Sequence, residues 1–115
     1  MDCIFCKIAS GQIPSEKVYE SENILAFKDI NPVAPEHILI IPKKHISNVE
    51  DITADDSLHV AELFFAAKEI SSERSLADKG YRLIINNGKA AGQEVFHLHM
   101  HIIGGKNSLG PMISK

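Results

Sequence analysis

Between Val95 and Ile103 three histidines, His97, His99 and His101, alternate with apolar residues. A period of two places successive side chains on opposite faces of a strand. Phe96, Leu98, Met100 and Ile102 therefore share a core face, and the histidines line the other, about 6.5–7 Å apart. Packing would select Val or Ile there, and solubility would select Lys, Thr or Glu. A neutral imidazole has one donor and one acceptor nitrogen and titrates near neutral pH. A row of them can bind an anion, bind a metal, or attack an electrophile.

Phosphoryl transfer requires a nucleophile in line with the leaving group and donors for the equatorial oxygens. Imidazole is a nucleophile near pH 7 without a separate base, provided one nitrogen holds its proton against an acceptor and the other aims its lone pair outward. A backbone carbonyl on the same strand can be that acceptor. His99 has a histidine on each side, which favours it as the nucleophile. Gly92 permits close backbone approach, and N–H groups around Gln93 and Val95 can form part of a phosphate cradle. Asn86 can hold a ribose-side or phosphate oxygen. Cys3 and Cys6, three residues apart, suggest metal or redox chemistry in a cytosolic chain.

The elements that must carry these residues follow from pattern. A short helix or turn over Asp2–Gly11 holds the cysteines, with Asp2 as its N-cap. Strands are expected at Lys17–Glu20 and Ile24–Ile30, joined as a hairpin. The prolines of Asn31–Pro35 form a rigid loop. His37–Pro42 is apolar without alternation, which predicts a central strand covered on both faces. A long helix runs from Ala54, capped by Thr53, to about Leu76, with Val60, Leu63, Phe64, Ala67 and Ile70 on its apolar face and Gly80 as the stop. Phe64 and Phe65 read as core or dimer packing. A strand at Tyr81–Asn86, a glycine loop at Asn87–Gly92, the histidine strand and an irregular tail from Gly105 complete the chain. This is an α+β fold, an antiparallel meander of about five strands with one long and one short helix, in a single domain over residues 1–115.

At 115 residues the core is modest, so dimerisation would help it. With 44% hydrophobic and 23% charged residues and a net charge of −3, the composition is ordinary. It does not suggest a nucleic-acid partner. No apolar run is long enough to span a bilayer and no secretory signal is visible, which points to a cytoplasmic protein with no membrane partner. Lys43-Lys44 reads as a solvated turn rather than a phosphate site.

His97-Leu98-His99-Met100-His101-Ile102-Ile103 resembles the signature of the histidine triad (HIT) family, three histidines each followed by an apolar residue. Cys3-Ile4-Phe5-Cys6-Lys7-Ile8, Ile13-Pro14, Ala26-Phe27-Lys28-Asp29-Ile30, Ala34-Pro35-Glu36-His37, Ile41-Pro42-Lys43-Lys44-His45, Asn86 and Gly92-Gln93 are similar to that family in the same order. The likeness extends over nearly the whole chain and is strongest to its short, Hint-like branch of nucleotide-binding phosphoramidases.

The resemblance implies a homodimer with one extended sheet and a purine nucleotide substrate. His99 would attack the α-phosphorus to form a nucleotidyl-histidine that water then hydrolyses, with His101 on a phosphate oxygen. His97 and His37 would complete the catalytic group. Asp29 would hold the ribose hydroxyls and Ile30 pack on the base, with Phe27 as a further apolar contact. Cys3, Cys6, His45 and His97 match the ligands of a structural zinc ion in some bacterial relatives. No cofactor would be needed for the chemistry itself. Glu94 stands where eukaryotic Hint proteins have a serine that donates toward the leaving amine, and a carboxylate donates only when protonated. The tail also lacks their tryptophan. Alternative readings are a dinucleoside polyphosphate hydrolase, against which Gly104-Gly105 stands, a non-catalytic nucleotide-binding interaction protein, and a zinc module in which the histidines serve metal alone.

Overall fold

A computed structural model describes residues 3–112. Asp2 as helix cap and residues 113–115 of the tail lie outside the described residues. The elements run α1 (Ile4–Ala9), β1 (Lys17–Glu20), β2 (Ile24–Lys28), β3 (Glu36–Pro42), two 3₁₀ turns (Val49–Asp51, Ala54–Asp56), α2 (Ser57–Glu73), β4 (Arg82–Ile84), a 3₁₀ turn (Lys89–Ala91) and β5 (Met100–Gly104). Cys3 is the N-cap of α1, its sulfur accepting the Cys6 N–H.

The five strands form one antiparallel sheet in the order β1-β2-β3-β5-β4. This differs from a simple meander. The connection from β3 through α2 delivers β4 to the far edge, and β5 returns between them, against β3. The expected α+β class and antiparallel pairing stand. The register pairs His37 with Ile103 and Leu39 with His101. Opposed residues of an antiparallel pair project to the same side. His37 and His101 are therefore diagonal neighbours on one face.

Both faces are covered, as the unbroken apolar run of β3 requires. One buries Ile24, Ala26, Ile38, Ile40, Met100 and Ile102 against Leu63, Ala66, Ala67 and Ile70 of α2. The paired alanines let the helix lie close to the sheet. Leu25, Phe27, Leu39 and Ile41 on the other face pack against Phe5 and Ile8 of α1. The histidines project to this second face, with His97 and His99 buried and His101 half-buried.

Several boundaries differ from expectation. The histidine strand does not extend over Val95–Ile103: only Met100–Gly104 is in the ladder, and the preceding residues approach it with Leu98 N–H donating to the Ile46 carbonyl at 2.6 Å. Alternation holds from Leu98 onward, whereas Phe96 lies outside the core, 42% exposed. β2 stops at Lys28, placing Asp29 and Ile30 in the loop. β4 is three residues rather than six. The Thr53 start is a 3₁₀ turn in which the Asp56 carboxylate accepts the Thr53 N–H at 3.0 Å. α2 ends at Glu73, not near Leu76 or Gly80. Ser75 takes φ 59° and Leu76 N–H donates back to the Ser71 carbonyl at 2.8 Å, a Schellman-type stop that folds Leu76 into the core. Phe64, expected on the apolar face, is exposed, as is Phe65.

Candidate active site and Cys–His cluster

His99 donates its Nδ1–H to the His97 carbonyl oxygen at 2.7 Å. That bond fixes the tautomer and leaves Nε2 with a lone pair and no protein partner among the described residues. It is a backbone acceptor of the kind the nucleophile reading requires, although both residues precede β5 rather than lying within it.

Beside it, a chain of bonds sets the tautomers of two further rings. Val33 N–H donates to His37 Nδ1 at 3.1 Å. His37 must therefore carry its proton on Nε2, which lies 2.9 Å from His101 Nδ1. His101 Nδ1 accepts, so its own proton sits on Nε2. That atom is buried and has no partner among the described residues. A buried N–H without an acceptor is costly and marks where a ligand oxygen would fit. The His99 and His101 ring centroids are 5.1 Å apart. Burial drives the His101 imidazole down to about 4, with His99 and His37 adding to the effect and Asp29 opposing it. The ring is thus a neutral donor at physiological pH.

Asp29 Oδ2 lies 3.4 Å from His37 Nε2, and Oδ1 accepts the Asn31 N–H at 2.8 Å in a tight turn. Asp29, His37 and His101 are close enough to suggest a metal site. The tautomer argues against it, because His37 Nε2 holds a proton where a metal needs a lone pair. Ile30 next to Asp29 is 91% exposed and Val33 65%. Phe27 is buried and packed edge-on against Phe5 at 5.5 Å.

The glycine turn is built by Gln93. Its Oε1 accepts the Gly88 N–H at 2.8 Å, and its Nε2 donates to the Ser47 carbonyl at 2.8 Å and the Val95 carbonyl at 3.1 Å. Gly92 takes φ 86°, a conformation that glycine adopts freely. The Gln93 N–H is engaged by the Gly88 carbonyl. Gln93 thus shapes the turn, and its N–H is not available as a cradle donor. The Val95 N–H has no internal acceptor among the described residues. Asn86 makes no side-chain hydrogen bond there, whereas Asn87, which sequence reasoning passed over, accepts the Val49 N–H at 2.8 Å. Lys43 and Lys44 pair with Glu20 and Asp56, as a structural turn would.

Cys3, Cys6, His45 and His97 converge, with all four ligand atoms within 4.8 Å of one another. His97, fully buried, donates Nε2–H to the Pro42 carbonyl at 2.7 Å, so Nδ1 carries a lone pair. That Nδ1 lies 3.4 Å from Cys3 Sγ and 3.5 Å from Cys6 Sγ, and His45 Nδ1 lies 3.3 Å from Cys6 Sγ. Tetrahedral zinc with ordinary Zn–S and Zn–N bonds would separate S and N by about 3.6 Å. The donor set, its spacing and the His97 tautomer all fit such an ion. Burial lowers the His97 imidazole, the Pro42 carbonyl opposing and His45 and His99 adding, which keeps the ring neutral as a ligand must be.

Phe5 escaped sequence reasoning as a site residue. It meets the His99 ring at 90° with centroids 5.1 Å apart. Its position between two cysteines was the available signal. Val33 and Pro42, which act through backbone atoms, left none.

The family model described as HIT domain matches residues 10–108. The chain is 43% identical over 113 residues to a purine nucleoside phosphoramidase from Escherichia coli (strain K12), covering 98% of this chain and 94% of the relative. It is similar to the solved structure of a histidine triad protein from Clostridium difficile, with a TM-score of 0.92, 49% identity and 96% of each chain covered. A HIT family hydrolase from Legionella pneumophila superposes with a TM-score of 0.89 at 50% identity, covering 91% of this chain and 94% of the other.

Proposed function

The chain belongs to the HIT family of hydrolases, and on that premise we propose that it hydrolyses purine nucleoside 5′-phosphoramidates, or the related acyl adenylates, at the α-phosphate. One observation carries the reading: a histidine locked with its Nε2 lone pair free stands beside a second whose buried Nε2–H has no acceptor among the described residues. The first has the form of a nucleophile and the second that of an oxygen donor, which is what an in-line attack on phosphorus needs. The name of the Escherichia coli relative supports the substrate class.

In this reading His99 Nε2 attacks phosphorus and forms the N–P bond as the bond to the amine breaks. The amine takes up a proton from solvent as it leaves, and the water consumed in the second step returns one. His101 Nε2–H and the Val95 N–H hold phosphate oxygens. His37 fixes the His101 tautomer, and the His97 carbonyl fixes that of His99. Asp29 accepts from the ribose hydroxyls, and Ile30 covers the base. Water then cleaves the nucleotidyl-histidine and restores the free imidazole.

Cys3, Cys6, His45 and His97 would hold a structural zinc ion, tying α1 to the sheet. Four protein ligands would leave it no open position. The proposal includes a homodimer: Leu58 and Phe65 of α2 are 64% and 68% exposed, and β4 ends the sheet with an open edge.

The test is a rapid quench with adenosine 5′-phosphoramidate, read by intact mass. An adenylyl adduct on the native chain, absent from His99→Ala, is expected. Turnover that survives in the variant would remove His99 as nucleophile, and binding without turnover in the native chain would favour an interaction protein.

A further inference from the structure

We propose that Phe5 is a positioning residue for the His99 imidazole. The inference rests on the nucleophile reading above, since it concerns what holds that ring still. The single hydrogen bond from His99 Nδ1 to the His97 carbonyl leaves rotation of the ring restrained at one point only. Two rings supply the remaining restraint. Phe5 meets His99 perpendicularly at 5.1 Å, and His101 meets it at 5.1 Å and 62°. His101 is itself held through His37. Phe5 is held from both ends of its own short segment.

Cys3 and Cys6 flank Phe5 in sequence, and their sulfurs lie against His45 and His97. Phe5 also packs on Phe27 at 5.5 Å and on His97 at 6.0 Å, and is 7% exposed. A six-residue helix buries too little surface to hold a side chain with precision by itself. With its cysteines fixed in the cluster, the ring has one seat, and that seat is against the nucleophile. Edge-to-face contact is directional, so Phe5 selects a ring plane where an aliphatic residue would only fill volume.

The experiment compares the native holoprotein with Phe5→Leu, which keeps apolar bulk, and Phe5→Ala. Metal content and melting temperature are recorded to confirm that each variant folds. Two readouts follow: kcat and KM on adenosine 5′-phosphoramidate, and the His99 ring tautomer by long-range ¹H–¹⁵N NMR without substrate. In native protein His99 shows one Nδ1–H tautomer. In folded Phe5→Leu we expect mixed or exchange-broadened tautomers, with kcat down about ten- to hundredfold and KM changed less than about threefold, by the separation of chemical from binding effects. Phe5→Ala should show the same pattern, more strongly. A raised KM with intact kcat would overturn the inference by making Phe5 a substrate contact. Unchanged tautomer and kcat in folded Phe5→Leu would overturn it outright. If the native chain does not turn over but the tautomer changes in Phe5→Leu, the ring-positioning claim stands and the catalytic reading fails.

Discussion

His97 presents its carbonyl to His99 Nδ1–H at 2.7 Å while its own Nδ1 points at Cys3 Sγ, 3.4 Å away. One residue therefore belongs to both the Cys–His cluster and the orientation of the candidate nucleophile. Movement of the His97 ring shifts the peptide that sets the His99 tautomer. The cluster and the candidate active site share this residue, although the cluster has no group in contact with substrate in the proposed reaction.

Removing the cysteines tests that link. Cys3→Ser/Cys6→Ser should lower bound zinc to near zero by atomic absorption, since two thiolates are half the donor set. We expect the melting temperature to drop by several degrees, as about 1 kcal/mol shifts a domain of this size by roughly 4 °C. An unchanged melting temperature with full zinc content would place the metal elsewhere.

His37→Ala removes the donor to His101 Nδ1. His101 can then carry its proton on either nitrogen, and the Nε2–H proposed to hold a phosphate oxygen is no longer assured. A loss of roughly 10–100-fold in kcat is expected, the usual effect of removing an orienting partner. Partial recovery in His37→Gln, whose amide can donate, would separate orientation from packing. Equal activity in native and His37→Ala protein would remove His37 from the machinery.

The periodicity of His97–His101 and the unbroken apolar run of β3 made the face assignment legible, because period and burial are local properties. The core positions Leu98, Met100 and Ile102 were readable for the same reason. The strand order was not, because nothing in the residues of β5 states that it pairs with β3 rather than trailing β4. The end of α2 was hidden because the left-handed position is Ser75, and serine carries no signal for that conformation. At the site, side-chain chemistry nominated His99 and His101, whereas the orienting groups are largely carbonyls and N–H groups of Val33, Pro42 and His97. Backbone atoms are common to every residue, so sequence cannot single them out. Gln93 was placed near the cradle for its backbone N–H; the three bonds of its side chain were not legible, since one of them reaches Ser47, 46 residues away.

Gln93→Leu should therefore act on the loop. Leucine has the bulk to fill the site but leaves the Gly88 N–H and the Ser47 and Val95 carbonyls without partners. We expect a loss of about 2–4 kcal/mol in urea unfolding, given the cost of unsatisfied buried groups. KM should rise as the turn before Val95 loosens. Unchanged stability with a raised KM would instead make Gln93 a direct ligand of the phosphate.

The exposed face of α2 gives a separate test. Phe65→Lys places charge on a side chain that is 68% exposed in the protomer. If this face is covered by a second copy, the native protein should run as a dimer in light scattering and the variant as a monomer at the same concentration. A dimer unaffected by the change would assign the interface to other surfaces, such as the β4 edge.

The His101 imidazole is held down at about 4 by burial first and by His99 and His37 second, with Asp29 opposing. In the unfolded chain the ring titrates near 6.5. Between those values the unfolded state binds a proton that the native ring refuses, so stability falls as pH drops from about 6.5 to about 4 and this contribution levels off below. The local reason is geometric. A proton on His101 Nδ1 would face the Nε2–H of His37 at 2.9 Å, two donors toward each other. For one proton the slope cannot exceed about 1.4 kcal/mol per pH unit, and the partial exposure of the ring reduces it. His101→Gln, which cannot titrate, should show a shallower decline across this window than the native chain in urea unfolding at stepped pH. Parallel curves would mean that His101 is protonated alike in both states and that the neutral donor assigned to it is wrong.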